Sequence, residues 1–199
     1  MESNVPDLRV TTNDPCASDP APRDPSANDL LILVDLADRE IGTEPKLACH
    51  LNGHLHRAFS VFLFDGNRVL MQRRAPGKYH SGGLWTNSCC SHPRTGETLA
   101  QAVPRRLGQE LGVTGVACRE AGVFCYRAAF PNGITEYEMD HVFVGQWAGT
   151  PAPDPAEVMD WLWVDASEVA ARLREHPEEF TAWLPGALPL AFAAAGVRW

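Results

Sequence analysis

The stretch from Gly96 to Gly112 constrains this chain more than any other. Between the two glycines, Leu99, Ala102, Val103, Leu107 and Leu111 recur at helical spacing, which predicts a helix with one buried face. Thr98 is placed to cap its start and Gly112 to end it. Pro104 lies inside and predicts a lost backbone bond and a kink. A helix that is apolar on one face must lie against something, and the flanking sequence supplies strands. Residues 30–35 are a short apolar run, and 42–45 read as a turn. Residues 56–64 and 68–72 are rich in aromatic and β-branched residues around Asp65-Gly66-Asn67, the pattern of a hairpin. Residues 77–83 read as a loop and 84–90 as extended chain. Strands are expected at about 116–128, 134–147 and 159–164. Helices are expected at 165–174 and about 177–195, the last broken by Pro185 and Pro189.

Strands in the middle with helices on both sides predict an α/β (α+β) domain of mixed β-sheet flanked by helices, not a doubly wound one. Hydrophobic residues make up 45% of the 199, with six Trp and eight Phe, enough for a core. One domain over 29–199 is expected. Residues 1–28, rich in Pro, Asp, Ser and Ala, read as a disordered tail that buries too little to offset ordering entropy. A net charge of −8 argues against nucleic acid as a partner. The apolar stretch 184–197 is interrupted by Pro185, Gly186 and Pro189 and is too short for a membrane span. No basic segment followed by an apolar run opens the chain, and the six cysteines form no CxxC pair, so free thiols and a cytoplasmic location are expected. Monomer is the default.

Three constellations carry chemistry. On the central helix, Glu97, Arg105, Leu107, Glu110, Gly112 and Val113 fit the diphosphate-handling Nudix box, G-x5-E-x7-R-E-U-x-E-E-x-G-U, where U is a bulky aliphatic residue. Ser91, Arg106 and Gln109 depart from it. Two carboxylates of the metal cluster are gone, which weakens water attack, while Arg106 adds a charge-assisted donor for a diphosphate. The same pattern also describes an amphipathic helix with solvated charges. Second, His50, His54 and His56 cluster before a strand. His92 follows Cys90 by two, and Glu136 and Glu138 share one strand face. Two neighbouring carboxylates repel unless they are solvated or share a cation, and imidazole with carboxylate suits Mg²⁺, Mn²⁺ or Zn²⁺. Third, Cys90 beside these groups is either a reactive thiol or a buried one.

Several motifs occur together in family order from about residue 30 to 195. They are Gly42-Thr43 with Lys46 and His50, Leu55-His56-Arg57-Ala58-Phe59-Ser60, Arg73-Arg74-Ala75, and Trp85-Thr86-Asn87-Ser88 followed by Cys90 and His92-Pro93. Arg105-Arg106 with Glu110-Leu111-Gly112-Val113, Tyr126-Arg127-Ala128, Glu136-Tyr137-Glu138 and Glu157-Val158-Met159 follow. Through them the chain resembles the type I isopentenyl-diphosphate isomerases, of Nudix fold. The resemblance implies a divalent metal on His50, His56, His92, Glu136 and Glu138, and a second, Mg²⁺, held by Glu110 with the diphosphate. It implies a basic pocket from Lys46, Arg74, Lys78 and Arg106, an acid–base pair in Cys90 and Glu138, a supporting hydroxyl in Tyr126 and a cation-facing ring in Trp183. The implied reaction interconverts isopentenyl and dimethylallyl diphosphate through a tertiary carbocation and feeds isoprenoid synthesis; no flavin is expected. Glu97 and Glu110 also leave open a Nudix diphosphohydrolase. A non-catalytic diphosphate sensor is a third reading, against which the complete acid, base and metal set argues.

Overall fold

The computed structural model describes residues 29–199, and the tail expected at 1–28 lies outside them. Among the described residues nine strands form one mixed sheet: β1 (Leu30–Val34), β2 (Glu40–Pro45), β3 (His56–Asp65), β4 (Arg68–Arg74), β5 (Trp85–Thr86), β6 (Cys89–Ser91), β7 (Cys118–Ala129), β8 (Thr135–Gln146) and β9 (Val158–Asp165). The helices are α1 (Lys46–Asn52), α2 (Leu99–Leu111), α3 (Ala166–Glu175) and α4 (Leu184–Ala195). The mixed sheet expected from the sequence is present. Its hub is β3, whose one edge runs parallel to β8 from His56↔Glu138 to Phe64↔Gln146. The other edge meets β1, β6 and β4 in succession, all antiparallel.

Side chains alternate along a strand, so β3 feeds both faces. Phe59, Val61 and Leu63 pack with Ala102, Val103, Leu107 and Leu111 of α2. Phe62 and Phe64 pack on the opposite side with Val169 of α3 and Leu184, Leu188 and Phe192 of α4. Each layer hides its apolar stripe against the sheet, which is the main stabilising term.

The capping expectation for α2 holds: Thr98 and Gln101 form a reciprocal capping box and Gly112 ends the helix at φ 66°. The helix passes through Pro104 as one element. Pro104 and Ala100 are both exposed, so the carbonyl that loses its intrahelical donor faces water. The same reasoning corrects the expected break in α4. Pro185 sits in its first turn, where no intrahelical donor is needed, and Pro189 is on the exposed face. That helix begins at Leu184 rather than near 177. A single 3₁₀ turn, Pro177–Glu179, precedes it, and Phe180 bridges to Trp85. The expected turn at 42–45 is strand β2, which pairs with β1 from Leu30↔Pro45 to Val34↔Glu40. The short helix α1 was not foreseen. Among the described residues no helix is long and apolar enough to cross a membrane.

Candidate active site and metal centre

Sheet register assembles the site. Ser60 of β3 pairs with Cys90 of β6, His56 with Glu138 of β8, and Tyr126 of β7 with Glu138 as well. Paired residues project to the same face, and Glu136 joins them two residues from Glu138. This is the face that buries Phe62 and Val142 against α4 further along, so the polar site continues the apolar core on the same side. Helix α1 carries His50, and a turn at Thr95 and Gly96, closed by the Glu97 N–H on the Arg94 carbonyl, leads from β6 into the box helix.

Three imidazoles and one carboxylate converge there. His50 Nε2 lies 3.2 Å from His56 Nε2, which lies 3.2 Å from His92 Nε2. Glu138 Oε1 is 2.8 Å from His92 Nε2 and 3.4 Å from His56 Nε2. One ligand atom from each of the four falls within 4.8 Å of the others. The chemistry of this donor set fits a divalent transition-type cation. His56 donates its Nδ1–H to the His54 carbonyl at 2.9 Å, which aims its Nε2 lone pair at the centre. Burial, with the neighbouring His92 and His56, pushes His50 down to about 2, so it is neutral, the form that binds metals. At His56 burial opposes the charge, but Cys49 and Glu138 outweigh it and raise the group to about 10. A cation at this spot would compete with that proton.

Glu136 stands beside this group, not in it. Its Oε1 is 2.9 Å from His80 Nε2, and its Oε2 accepts the Tyr126 hydroxyl at 3.1 Å. The same hydroxyl reaches Glu138 Oε2 at 2.6 Å. Burial favours the neutral carboxyl of Glu138, yet the His56 and His92 hydrogen bonds hold it well below the usual carboxylate range. His54 points away to Glu44, at 2.8 Å.

A cleft of about 790 Å³, counted to its open mouth, lies against this centre. Cys90, His92, Tyr126, Glu136, Glu138 and Trp183 line it, and so do all four basic residues singled out in the sequence: Lys46, Arg74, Lys78 and Arg106. Burial pushes the Cys90 thiol up, against the pull of Arg74, so it keeps its proton at neutral pH. Arg74 directs Nη1 to Cys90 Sγ at 3.5 Å, and its guanidinium lies 5.2 Å from the centre of the Trp183 ring. Its buried Nε has no partner. The Trp183 indole is fixed by Asn87, which accepts its N–H at 3.0 Å and donates to the Val61 and Cys89 carbonyls.

The altered box is electrostatically closed. Arg105 grips Glu97 through two contacts of 2.6 and 2.7 Å. Arg106 pairs with Glu110 in a short contact and with Glu157 at 3.4 Å, while Gln72 donates to the other Glu110 oxygen at 3.1 Å. Gln109 accepts from both arginines, at 3.1 and 3.2 Å. Lys78 also pairs closely with Glu157. Glu110 therefore lies under the basic wall rather than on it. Sequence reasoning missed Tyr79, His80 and Gln72, which have no periodicity to flag them; Asn87 was visible only as part of the quoted Trp85–Ser88 segment.

Residues 54–184 match the NUDIX domain. The fold agrees. The Deinococcus radiodurans protein DR0079 superposes with a TM-score of 0.70 at 21% identity, covering 82% of this chain and 99% of that one. A MutT NUDIX hydrolase from Burkholderia pseudomallei gives 0.56 at 18% identity, covering 69% and 98%. Among curated relatives, isopentenyl-diphosphate Delta-isomerase 2 of Aromatoleum aromaticum is 48% identical over 80% of this chain and 85% of its own. The Burkholderia multivorans isopentenyl-diphosphate Delta-isomerase is 50% identical, over 77% and 87%. The chain belongs to the NUDIX domain family and, within it, to the isopentenyl-diphosphate Delta-isomerases.

Proposed function

We infer that this enzyme interconverts isopentenyl and dimethylallyl diphosphate, and that Cys90 and Glu138 are its acid–base pair. The observation that carries the reading is their shared cleft: a protonated thiol and an ionised carboxylate at one end, four basic side chains around it. The alkene of the substrate is a weak base, so one group must press a proton onto its terminal carbon while the other takes one from the carbon next to the diphosphate-bearing one. The reaction is reversible, so each group is the acid in one direction and the base in the other. Tyr126, bonded to both Glu136 and Glu138, supports the carboxylate. Trp183 offers its ring face to the developing cation, a role that its contact with the Arg74 guanidinium supports. Lys46, Arg74, Lys78 and Arg106, which line the same cleft, bind the diphosphate.

His50, His56, His92 and Glu138 would hold Mn²⁺, Mg²⁺ or Zn²⁺, with Glu136 close by, and the bound ion would shift the proton affinity of Glu138. Glu110 would share a diphosphate-bound Mg²⁺ by giving up part of its pairing with Arg106 and Gln72. The closed box supports an isomerase over a hydrolase. Arg105 and Arg106 already neutralise Glu97 and Glu110, so no cluster of bare carboxylates remains to activate water. The test is incubation with isopentenyl diphosphate and metal in D₂O, followed by proton NMR beside a phosphate-release assay. Dimethylallyl diphosphate carrying deuterium, with no phosphate released, is the expected result. Diphosphate cleavage without isomerisation would overturn the reading.

A further inference from the structure

The loop between β4 and β5 carries two consecutive rings that the chemistry above does not use. The Tyr79 hydroxyl lies 2.5 Å from His50 Nδ1, and the two rings stack at 5.6 Å with a 20° tilt. His80 is buried, with its Nε2 2.9 Å from Glu136 Oε1 and its Nδ1 3.2 Å from Ser81 Oγ. We propose that Tyr79 and His80 are positioning residues of the metal centre, Tyr79 acting through His50 and His80 through Glu136. The proposal rests on the metal and acid–base reading of the cleft.

The physical case is one of tautomer and aim. A ligating imidazole has two nitrogens, and the partner on one decides where the lone pair of the other points. His56 has the His54 carbonyl for this purpose. His50 has Tyr79: if its Nδ1–H donates to the phenol oxygen, its Nε2 lone pair is turned toward His56, His92 and Glu138. Glu136, in turn, is held between two donors, His80 on one oxygen and Tyr126 on the other. A side chain pinned at both oxygens stays close to the four convergent ligands without collapsing onto Glu138.

The loop is built to keep both rings in place. Asn132, in the β7–β8 turn, donates to the Tyr79 carbonyl at 2.7 Å, and the Phe130 ring packs 4.8 Å from His80. Ser81 follows at φ 53°, a costly conformation for a residue with a Cβ. Gly82 is then pressed so close to the chain that an added Cβ would lie 2.7 Å from the Pro76 carbonyl oxygen. Lys78 in the same loop lines the cleft. One rigid segment thus sets a phosphate-binding cation and two partners of the metal centre.

The test compares Tyr79→Phe, His80→Ala and His80→Gln with the wild type, reading Mn²⁺ or Zn²⁺ affinity by chelator competition, kcat and KM separately, and the melting temperature of metal-stripped protein. Tyr79→Phe is expected to weaken metal binding about tenfold or more, the usual cost of losing such a partner, with the metal-free melting temperature unchanged. His80→Ala is expected to lower kcat at saturating metal with little change in KM, and His80→Gln, which keeps a donor, to restore most of it. Wild-type metal affinity in Tyr79→Phe, or equal kcat in His80→Ala and the wild type, overturns the corresponding half. The metal arm stands apart from the isomerase reading. A wild type that binds metal but does not isomerise would sink that reading and leave the affinity result intact.

Discussion

Two polar clusters sit side by side in this molecule and solve the problem of buried charge in opposite ways. Around α2, each carboxylate has a guanidinium or ammonium of the protein against it: Glu97 has Arg105, Glu110 has Arg106, and Glu157 has Lys78 and Arg106. At the other cluster, His50, His56, His92 and Glu138 point their ligand atoms at one another, with only the single carboxylate among them. The first is complete in itself. The second is a donor set whose chemistry fits a divalent cation. The difference teaches that a carboxylate can be neutralised from within or left facing other ligand atoms: on the helix Arg105 and Arg106 do the first, and on the sheet Glu138 faces three imidazoles.

The comparison breaks most sharply at Glu138. Glu138→Gln removes the proposed acid–base group and the one carboxylate of the convergent set, so isomerase activity should fall by about 10³-fold or more together with metal affinity, read by NMR assay and chelator competition. Cys90→Ala should lose as much activity yet bind metal normally, because the thiol lines the cleft without belonging to the ligand set. A Cys90 variant of full activity would remove the acid–base assignment. Next in size is the response to chelator. Stripping metal should lower the melting temperature of the wild type, by the equivalent of about 2.7 kcal/mol at a metal concentration a hundred times Kd. Arg106→Ala should leave that metal-dependent shift intact, but it strands Glu110, and should itself cost about 3 kcal/mol in denaturant unfolding.

The smallest effect concerns acid. Arg105 hydrogen-bonds Glu97 and holds its carboxyl below the usual range, against a modest burial penalty. The pair's contribution is therefore full above about pH 4.5 and is lost as the pH falls through the lowered folded value. Glu97 is close to the surface, so the term is under about 1 kcal/mol. Glu97→Gln should flatten the acid limb of the stability curve by that amount, and a limb as steep as in the wild type would show that the pair contributes nothing.

The sequence made much of this visible where pattern and physics coincide. The box helix declared itself through period, cap and terminating glycine, and Glu136 and Glu138 through their spacing of two. Four of the five residues expected at the first metal, His50, His56, His92 and Glu138, converge, while Glu136 stands beside them. Elements without a period escaped. Strand β2 lies at the sheet edge with mostly exposed side chains, so its Gly-Thr-Glu-Pro looked like a turn. Helix α1 is seven residues long and opens on Pro45, too short for a hydrophobic face to repeat. Tyr79 and His80 are legible only in three dimensions, because their partners lie in α1 and β8. The prolines misled in the other direction: a proline on the wet side of a helix costs less than the rule for helix interiors suggests.

The parallel pairing of β3 with β8 also dictates when the cleft comes into being during synthesis. Ser60 and Asp140, buried and hydrogen-bonded across that junction, are 80 positions apart, and Asn87 and Trp183 are 96 apart. Contacts that far along the chain form late, because loop closure must precede them. A ribosome that has delivered the box helix has made nothing able to bind the substrate. The three histidines from the first half wait for Glu138 on a strand from the second, and Trp183, which lines the same cleft, follows later still.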